Sequence, residues 1–250
     1  MTAPILPMRG AGMTPAPWSP ALQSAPYCVL DIETAAGSPE SIERSVWHGW
    51  RPDVRWGDET IGRRFREALL RAHEKGALLD SAPIAAVGLR APGATLVLHA
   101  MAERLDIIPA GWAAGYADER GLMASALDAL DSLPAECRIV GHNVYRFDLP
   151  RMRLAAARHD LALPPALTDG LPVTDTMHHF CRNFAAGQRV MIGVEEMLEL
   201  LGAPPRPEGA PDGADVPAMV ACGDVAGVAA KLAGDLVDEE WAARRMGVIS

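Results

Sequence analysis

The sequence predicts an α/β domain, a mixed sheet flanked by helices. Three observations carry this. The apolar run Tyr27-Cys28-Val29-Leu30-Asp31-Ile32-Glu33-Thr34 reads as a buried strand. Two further runs, Pro83 to Leu89 and Ala94 to His99, meet at Pro92-Gly93 and read as a hairpin. Strand-like and helical segments then alternate to the end of the chain.

In order, Leu122 to Leu133 has helical spacing and is bounded by Pro134. Arg138 to Val144 is strand-like and runs into a polar turn. Arg151 to Arg158 is helical, and Val173-Thr174-Asp175 is a shorter strand. Between the first two strands lies an insertion at about residues 38–80, with Trp47, Trp50, Trp56 and a helix from about Glu59 to Lys75. Its tryptophans are expected to pack the insertion onto the core, since large aromatics are mostly buried. The sharper alternative is a stacking platform for a substrate base.

With 250 residues, 49% of them hydrophobic, the chain suffices for one full core. Residues 1–25, rich in Pro and Ala, read as a flexible arm, and residues 26–250 as a single domain. No apolar run reaches the ~18 residues of a membrane span, and the first residues lack the pattern of a secretory signal. A cytoplasmic protein is expected. Cys28, Cys137, Cys181 and Cys222 are scattered without Cys-x-x-Cys spacing, which favours reduced thiols over a zinc site or disulfide framework. There is no Gly-x-x-x-x-Gly-Lys-Ser/Thr phosphate loop.

The chemistry-bearing residues begin with Asp31 and Glu33. On a strand, positions i and i+2 share a face. Two carboxylates projecting together from a buried strand repel each other. A divalent cation relieves that repulsion, and hard oxygen ligands suit magnesium or manganese. The plainer alternative is an acidic strand end facing solvent. The string Gly141-His142-Asn143-Val144-Tyr145-Arg146-Phe147-Asp148-Leu149-Pro150 sets another carboxylate, Asp148, at a strand-to-helix junction. Taken singly, Asp148 also reads as a helix N-cap or first-turn acid.

Together, "LDIET" and "GHNVYRFDLPRM" resemble the first two motifs of the DEDD superfamily of 3′–5′ exonucleases. The subgroup most similar is the predicted exonucleases related to the proofreading domain of family-B DNA polymerases. The resemblance runs from about Tyr27 to about Trp241. It implies a ribonuclease H-like fold, three antiparallel strands followed by parallel ones. It also implies two Mg²⁺ or Mn²⁺ ions held by four carboxylates, and hydrolysis of terminal phosphodiesters at a single-stranded 3′ end. Thr34, His142, Asn143, Arg146, Phe147 and Arg151 are the implied substrate contacts.

The family's third motif is Tyr-x-x-x-Asp or His-x-x-x-x-Asp on a C-terminal helix, and here the chain departs from it. Asp224 and Asp235 both compete for the fourth carboxylate. The helix Val194 to Leu201, the linker Asp212 to Val216 and Gly223 favour Asp235, with Asp224 and Asp175 as secondary candidates. Lys231 then stands where the family has Tyr, one helical turn before Asp235. Three readings stay open. The metals alone activate water, or Lys231 assists, or the protein is a weakened nuclease that binds nucleic acid or serves as a partner subunit. Paired His178-His179 beside Asp175 do not suggest a second metal site, because neighbouring side chains diverge.

The net charge of −9 argues against tight sequence-independent duplex binding. Local cations are present around the second motif (Arg146, Arg151, Arg153, Arg158) and after Asp175 (His178, His179, Arg182, Arg189) as phosphate contacts. Single-stranded DNA is the first expected substrate, and RNA the alternative.

Overall fold

The computed structural model describes residues 19–74, 76, 82–101, 112–168, 170–185, 190–207 and 209–250. Six strands form one sheet: β1 (Tyr27–Thr34), β2 (Ile84–Ala91), β3 (Ala94–His99), β4 (Trp112–Gly115), β5 (Arg138–Gly141) and β6 (Val173–Asp175). The described helices are α1 (Ser19–Gln23), α2 (Pro39–Gly49), α3 (Asp58–Glu74), α4 (Glu119–Asp131), α5 (Asp148–Arg158), α6 (Thr176–Asn183), α7 (Val194–Leu201), α8 (Val216–Cys222) and α9 (Val225–Arg245). The strand order is β4-β3-β2-β1-β5-β6. β2 and β3 are antiparallel, while β1/β5, β5/β6 and β3/β4 are parallel. The protein is therefore α/β with a mixed sheet, consistent with a ribonuclease H-like fold.

Two compact units divide the chain, one comprising residues up to Glu33 and from Ile84 to Ser250, the other Thr34–Pro83. In the larger unit the period-two alternation of β1 sorts its side chains. Cys28, Leu30 and Ile32 join Leu122, Ala126, Leu149 and Met152 of α4 and α5 in one core layer. Tyr27 and Val29 pack with Leu236 and Ala243 of α9 on the opposite face. Asp31 and Glu33 thus belong to the α9 face. α9 also covers β2 and β3, where Ala86 and Val97 meet Val228 and Leu232. Leu232 and Leu236 are fully buried, each worth about 1.5–3 kcal/mol of apolar transfer.

Two features bring α9 onto the sheet. At Gly88 of β2, a Cβ would lie 2.7 Å from Leu236 Cδ1 and 2.9 Å from Leu232 Cγ, so only glycine admits the helix at this distance. Nearby, buried Glu240 of α9 accepts hydrogen bonds from Tyr27 Oη, Arg90 Nε and Arg244 Nη2. Burial raises the Tyr27 phenol to about 12, with the Glu240 bond adding to it.

The smaller unit is a helical pair. Ser38 caps α2 by accepting from the Ser41 amide at 3.2 Å. Trp47 and Trp50 pack edge-on against Phe65 of α3, at 5.5 and 5.6 Å between ring centroids, and Trp50 lies 6.4 Å from Trp56. Trp47, Trp50 and Trp56 thus share one aromatic cluster with Phe65 within this unit.

Other departures have local causes. The expected strand 138–144 ends at Gly141, because Asn143 turns the chain with φ 59° and Asp175 captures the amides of Asn143 and Tyr145. Asn tolerates that left-handed conformation better than most residues. β4 was not foreseen; Trp-Ala-Ala-Gly is too short for a periodic signal. Residues 19–25 of the expected flexible arm are ordered, since α1 brings Leu22 and Ala25 into the main core. The rest of that arm, residues 1–18, lies outside the described residues, as do Lys75 and Arg189.

Candidate metal centre

Three separate elements deliver carboxylates to one place. Asp31 and Glu33 come from the end of β1, Asp148 is the first residue of α5, and Asp235 lies on α9. One oxygen each of Asp31, Glu33 and Asp235 lies within 4.8 Å of the others. Asp148 Oδ1 accepts the Ile32 amide at 3.1 Å, which ties the start of α5 to β1 beside Asp31. Asp148 is not the N-cap of α5, which is Phe147, but it is the acid of the first turn, the other half of the plain alternative.

α9 brings a fifth carboxylate, which the sequence pattern did not single out. Lys231, Asp235 and Glu239 succeed one another at i, i+4 and i+8 and so form one stripe of α9. Glu239 is 4% exposed, and its Oε2 has no hydrogen-bond partner among the described residues. That helical period was the signal available, hidden in the run Asp238-Glu239-Glu240.

The electrostatics follow from crowding. Asp31 keeps some surface open to solvent. Its carboxyl is still pushed well above the ordinary range by desolvation, then by Glu239, Asp148, Glu33 and Asp235. Burial raises Asp148 to about 8 against the pull of its own and the Ile32 amide, with Glu33 and Asp175 adding to the rise. Glu239 is raised by burial, then by Asp148 and Asp235. Glu33 is raised by burial, and Lys231 draws it partly back.

Two cations stand on one side of this cluster. Lys231 Nζ lies 2.8 Å from Glu33 Oε1 and also contacts Asp235 Oδ2. The Glu33 contact is a charge pair without aligned hydrogen-bond geometry, since Glu33 Oε1 accepts no hydrogen bond. Burial lowers the affinity of Lys231 for its proton, but Glu33 and Asp235 together more than reverse this and hold the ammonium charged. Arg206, in the Pro-rich segment after α7, sets Nη2 2.5 Å from Asp235 Oδ1 and 2.6 Å from Asp238 Oδ2. Nothing in the sequence around Arg206 signalled this role.

The other expected site residues divide. Asp224 is exposed and caps α9, accepting the Gly227 amide at 2.8 Å, away from the cluster. Asp175 caps α6 and accepts the amides of Asn143 and His178 at 3.1 and 3.2 Å, a structural duty at the site's border. His142, an expected substrate contact, donates from Nε2 to the Ile192 carbonyl at 2.9 Å, and its Nδ1 lies 3.2 Å from Thr176 Oγ1, with burial favouring the neutral ring; it also lines a cavity with Asn143 and Glu196. Asn143 Oδ1 is buried without a partner among the described residues. The Arg151 guanidinium stacks 3.9 Å over the Phe147 ring. Thr34 ends β1 and is buried. Arg146 is exposed and lines a cavity of about 450 Å³ with Tyr145, His178 and Arg182.

All-oxygen donors, a partnerless buried carboxylate oxygen and raised proton affinities together fit a hard divalent cation such as Mg²⁺ or Mn²⁺. The architecture defines a class: an α/β domain with a carboxylate cluster at the end of its central strand. No protein-family model matches the chain, and no curated protein shows significant similarity to it. No described helix is long and apolar enough to cross a membrane.

Proposed function

We propose that the protein is a metal-dependent 3′–5′ exonuclease of the DEDD type, acting on single-stranded nucleic acid, with DNA as first substrate and RNA as the alternative. The observation that carries this reading is the convergence of Asp31, Glu33, Asp148 and Asp235 from β1, α5 and α9. Chance acidic pairs do not gather from three elements into a buried cluster, because each added charge raises the cost of the others.

Asp31, Asp148 and the α9 carboxylates would hold the cation. When bound, the metal supplies charge stabilisation and orientation for in-line attack of water on the terminal phosphodiester. The chain's own residues do the rest. The Ile32 amide fixes the Asp148 carboxylate, and Asp175 fixes the turn that carries Asn143 and Tyr145. Tyr145, whose hydroxyl donates to the Val173 carbonyl at 2.9 Å, presents an aromatic face for stacking. Arg146, His178 and Arg182 line the same cavity and suit phosphates. Lys231 carries its charge at neutral pH, so it serves the phosphates and carboxylates as a cation and not as a base.

One observation favours a second reading. The pairing of Lys231 with Glu33 and Asp235 also suits a weakened nuclease that binds nucleic acid without cutting it. Incubation with labelled DNA and RNA oligonucleotides, with Mn²⁺ or EDTA, separates the two. Metal-dependent release of nucleotides supports the enzyme, whereas retention of strand without release supports the binder.

A further inference from the structure

Where β5 and β6 end, two cavities adjoin. The first, of about 450 Å³, is lined by Tyr145, Arg146 and Arg182. The second, of about 360 Å³, is lined by Asn143, Met191, Ile192 and Glu196. Met177 of α6 lines both, and the segment from Val190 to Gly193 walls first one and then the other. Each has the size of a small-ligand site.

Their chemistry differs. Among the described residues, neither Arg146 nor Arg182 has a side-chain hydrogen bond or ion pair. By contrast Arg90, Arg158, Arg206 and Arg244 are each paired with a carboxylate. Asp175, the carboxylate lining the first cavity, already accepts the amides of Asn143, Tyr145 and His178. Two guanidinium charges thus face one cavity without compensation, in a chain of net charge −9. The Tyr145 residue is half exposed, while its amide is held by Asp175 and its hydroxyl by the Val173 carbonyl, so the ring is fixed and open. No Lys or Arg lines the second cavity, whose walls are Met177, Met191 and Ile192. There the Asn143 Oδ1 is buried without a partner among the described residues. Val190 and Met191, 71% and 56% exposed, leave apolar surface open where the cavities meet.

We propose that the two cavities form one track for a two-nucleotide segment of an unpaired strand. One base enters the second cavity, the next phosphate meets Arg146 and Arg182, and the following base stacks on Tyr145. The Glu196 carboxylate repels phosphate from the second cavity, which fixes the half that takes the base. A base edge brings the N–H that Asn143 Oδ1 lacks. This rests on the nucleic-acid reading above and deepens it: the strand is gripped by residues that hold no metal. A duplex keeps its base faces stacked and its edges paired, so the track selects single strands.

The test is binding of a labelled single-stranded ten-nucleotide DNA, and of the blunt duplex of the same sequence, to the whole protein in excess EDTA across a salt series. The single strand is expected to bind at least ten-fold more tightly than the duplex. Arg146→Met and Arg182→Met should each weaken it about ten-fold and lower the salt slope by about 0.7, and Tyr145→Leu should weaken it about ten-fold. Gly193 lines the second cavity at φ −72°, and a Cβ there meets nothing within 4 Å, so Gly193→Phe should block that cavity without backbone strain. Circular dichroism checks the fold of each variant, and Arg120→Met, an exposed charge removed from α4, should change nothing. Equal losses in Arg120→Met, or none in Arg146→Met, Arg182→Met and Gly193→Phe, would overturn the track, and Mn²⁺-dependent hydrolysis by those same proteins would leave the nuclease reading standing. Binding as predicted with no hydrolysis in Mn²⁺ would uphold the track and overturn the nuclease.

Discussion

Lys231 Nζ lies 2.8 Å from Glu33 Oε1, and the two come from different elements, one on α9 and one at the end of β1. The pair neutralises charge within the carboxylate cluster and also clamps α9 to the central strand. Removing one partner of a buried ion pair strands the other, at a cost of about 3–5 kcal/mol. Lys231→Met should therefore lower the melting temperature of the metal-free protein markedly. Added Mn²⁺ should recover much of the loss, because an ion bound only by the folded state stabilises it by mass action. Thermal melts with and without Mn²⁺ check this; unchanged melting in the variant would mean that the pair contributes nothing.

Stability of the metal-free protein should depend on pH in an unusual direction. The folded Asp148 carboxyl is raised to about 8, above its ordinary value, and Asp31 and Glu239 are raised as well. The folded state then binds more protons than the unfolded one between ordinary carboxyl values and about pH 8, so this contribution is full below that window and lost as pH rises through it. Metal-free melting temperature should fall from about pH 5 to pH 8, and the stabilisation by Mn²⁺ should grow over the same range, since binding displaces those protons. Melts at a series of pH values in chelator and in Mn²⁺ read both slopes.

Asp235→Asn and Asp224→Asn should part company. Asp235 lies in the cluster, and its loss should reduce any hydrolysis by orders of magnitude. Asp224 caps α9 at an exposed position and Asn caps about as well, so Asp224→Asn should leave both stability and rate nearly unchanged. Paired rate and melting measurements on the two variants decide it; a rate loss confined to Asp224→Asn would move the fourth carboxylate to that residue.

Gly88→Ala should displace α9 from the sheet. The added Cβ meets Leu236 and Leu232 inside 3 Å, and such overpacking costs about 1–3 kcal/mol. Because Lys231, Asp235 and Glu239 ride on the same helix, Mn²⁺ affinity should fall along with stability. Calorimetric titration of the variant tests this coupling; intact affinity in a destabilised protein would show that the stripe is held by other contacts.

Much of this architecture is legible in the residues. β1 is a strand because its apolar residues alternate across two buried faces, and that same alternation places Asp31 beside Glu33. The hairpin at Pro92-Gly93 follows from a fixed φ and a glycine at φ +76°. What escaped were long-range pairings. Glu239 is indistinguishable from its acidic neighbours until α9 is docked, and Arg206 sits in a Pro-rich segment whose partner is 29 residues away. The hydrogen bonds of His142 to Thr176 and Ile192 span 34 and 50 residues and leave no local trace in the sequence. Lys231 could be placed one turn from Asp235 by spacing alone, but its second partner, Glu33, is visible only in three dimensions.

The central claim is that the carboxylate cluster hydrolyses nucleic acid from a free 3′ end. The most direct measurement is the product of a 3′-labelled single-stranded oligonucleotide incubated with Mn²⁺, beside a 3′-blocked strand, a circular strand and the Asp31→Ala variant. The account predicts labelled mononucleotide from the free end alone, none in EDTA and none with Asp31→Ala. Mononucleotide release that persists in excess EDTA, cleavage of the circle, or no release from any strand by a protein that binds Mn²⁺ would contradict it.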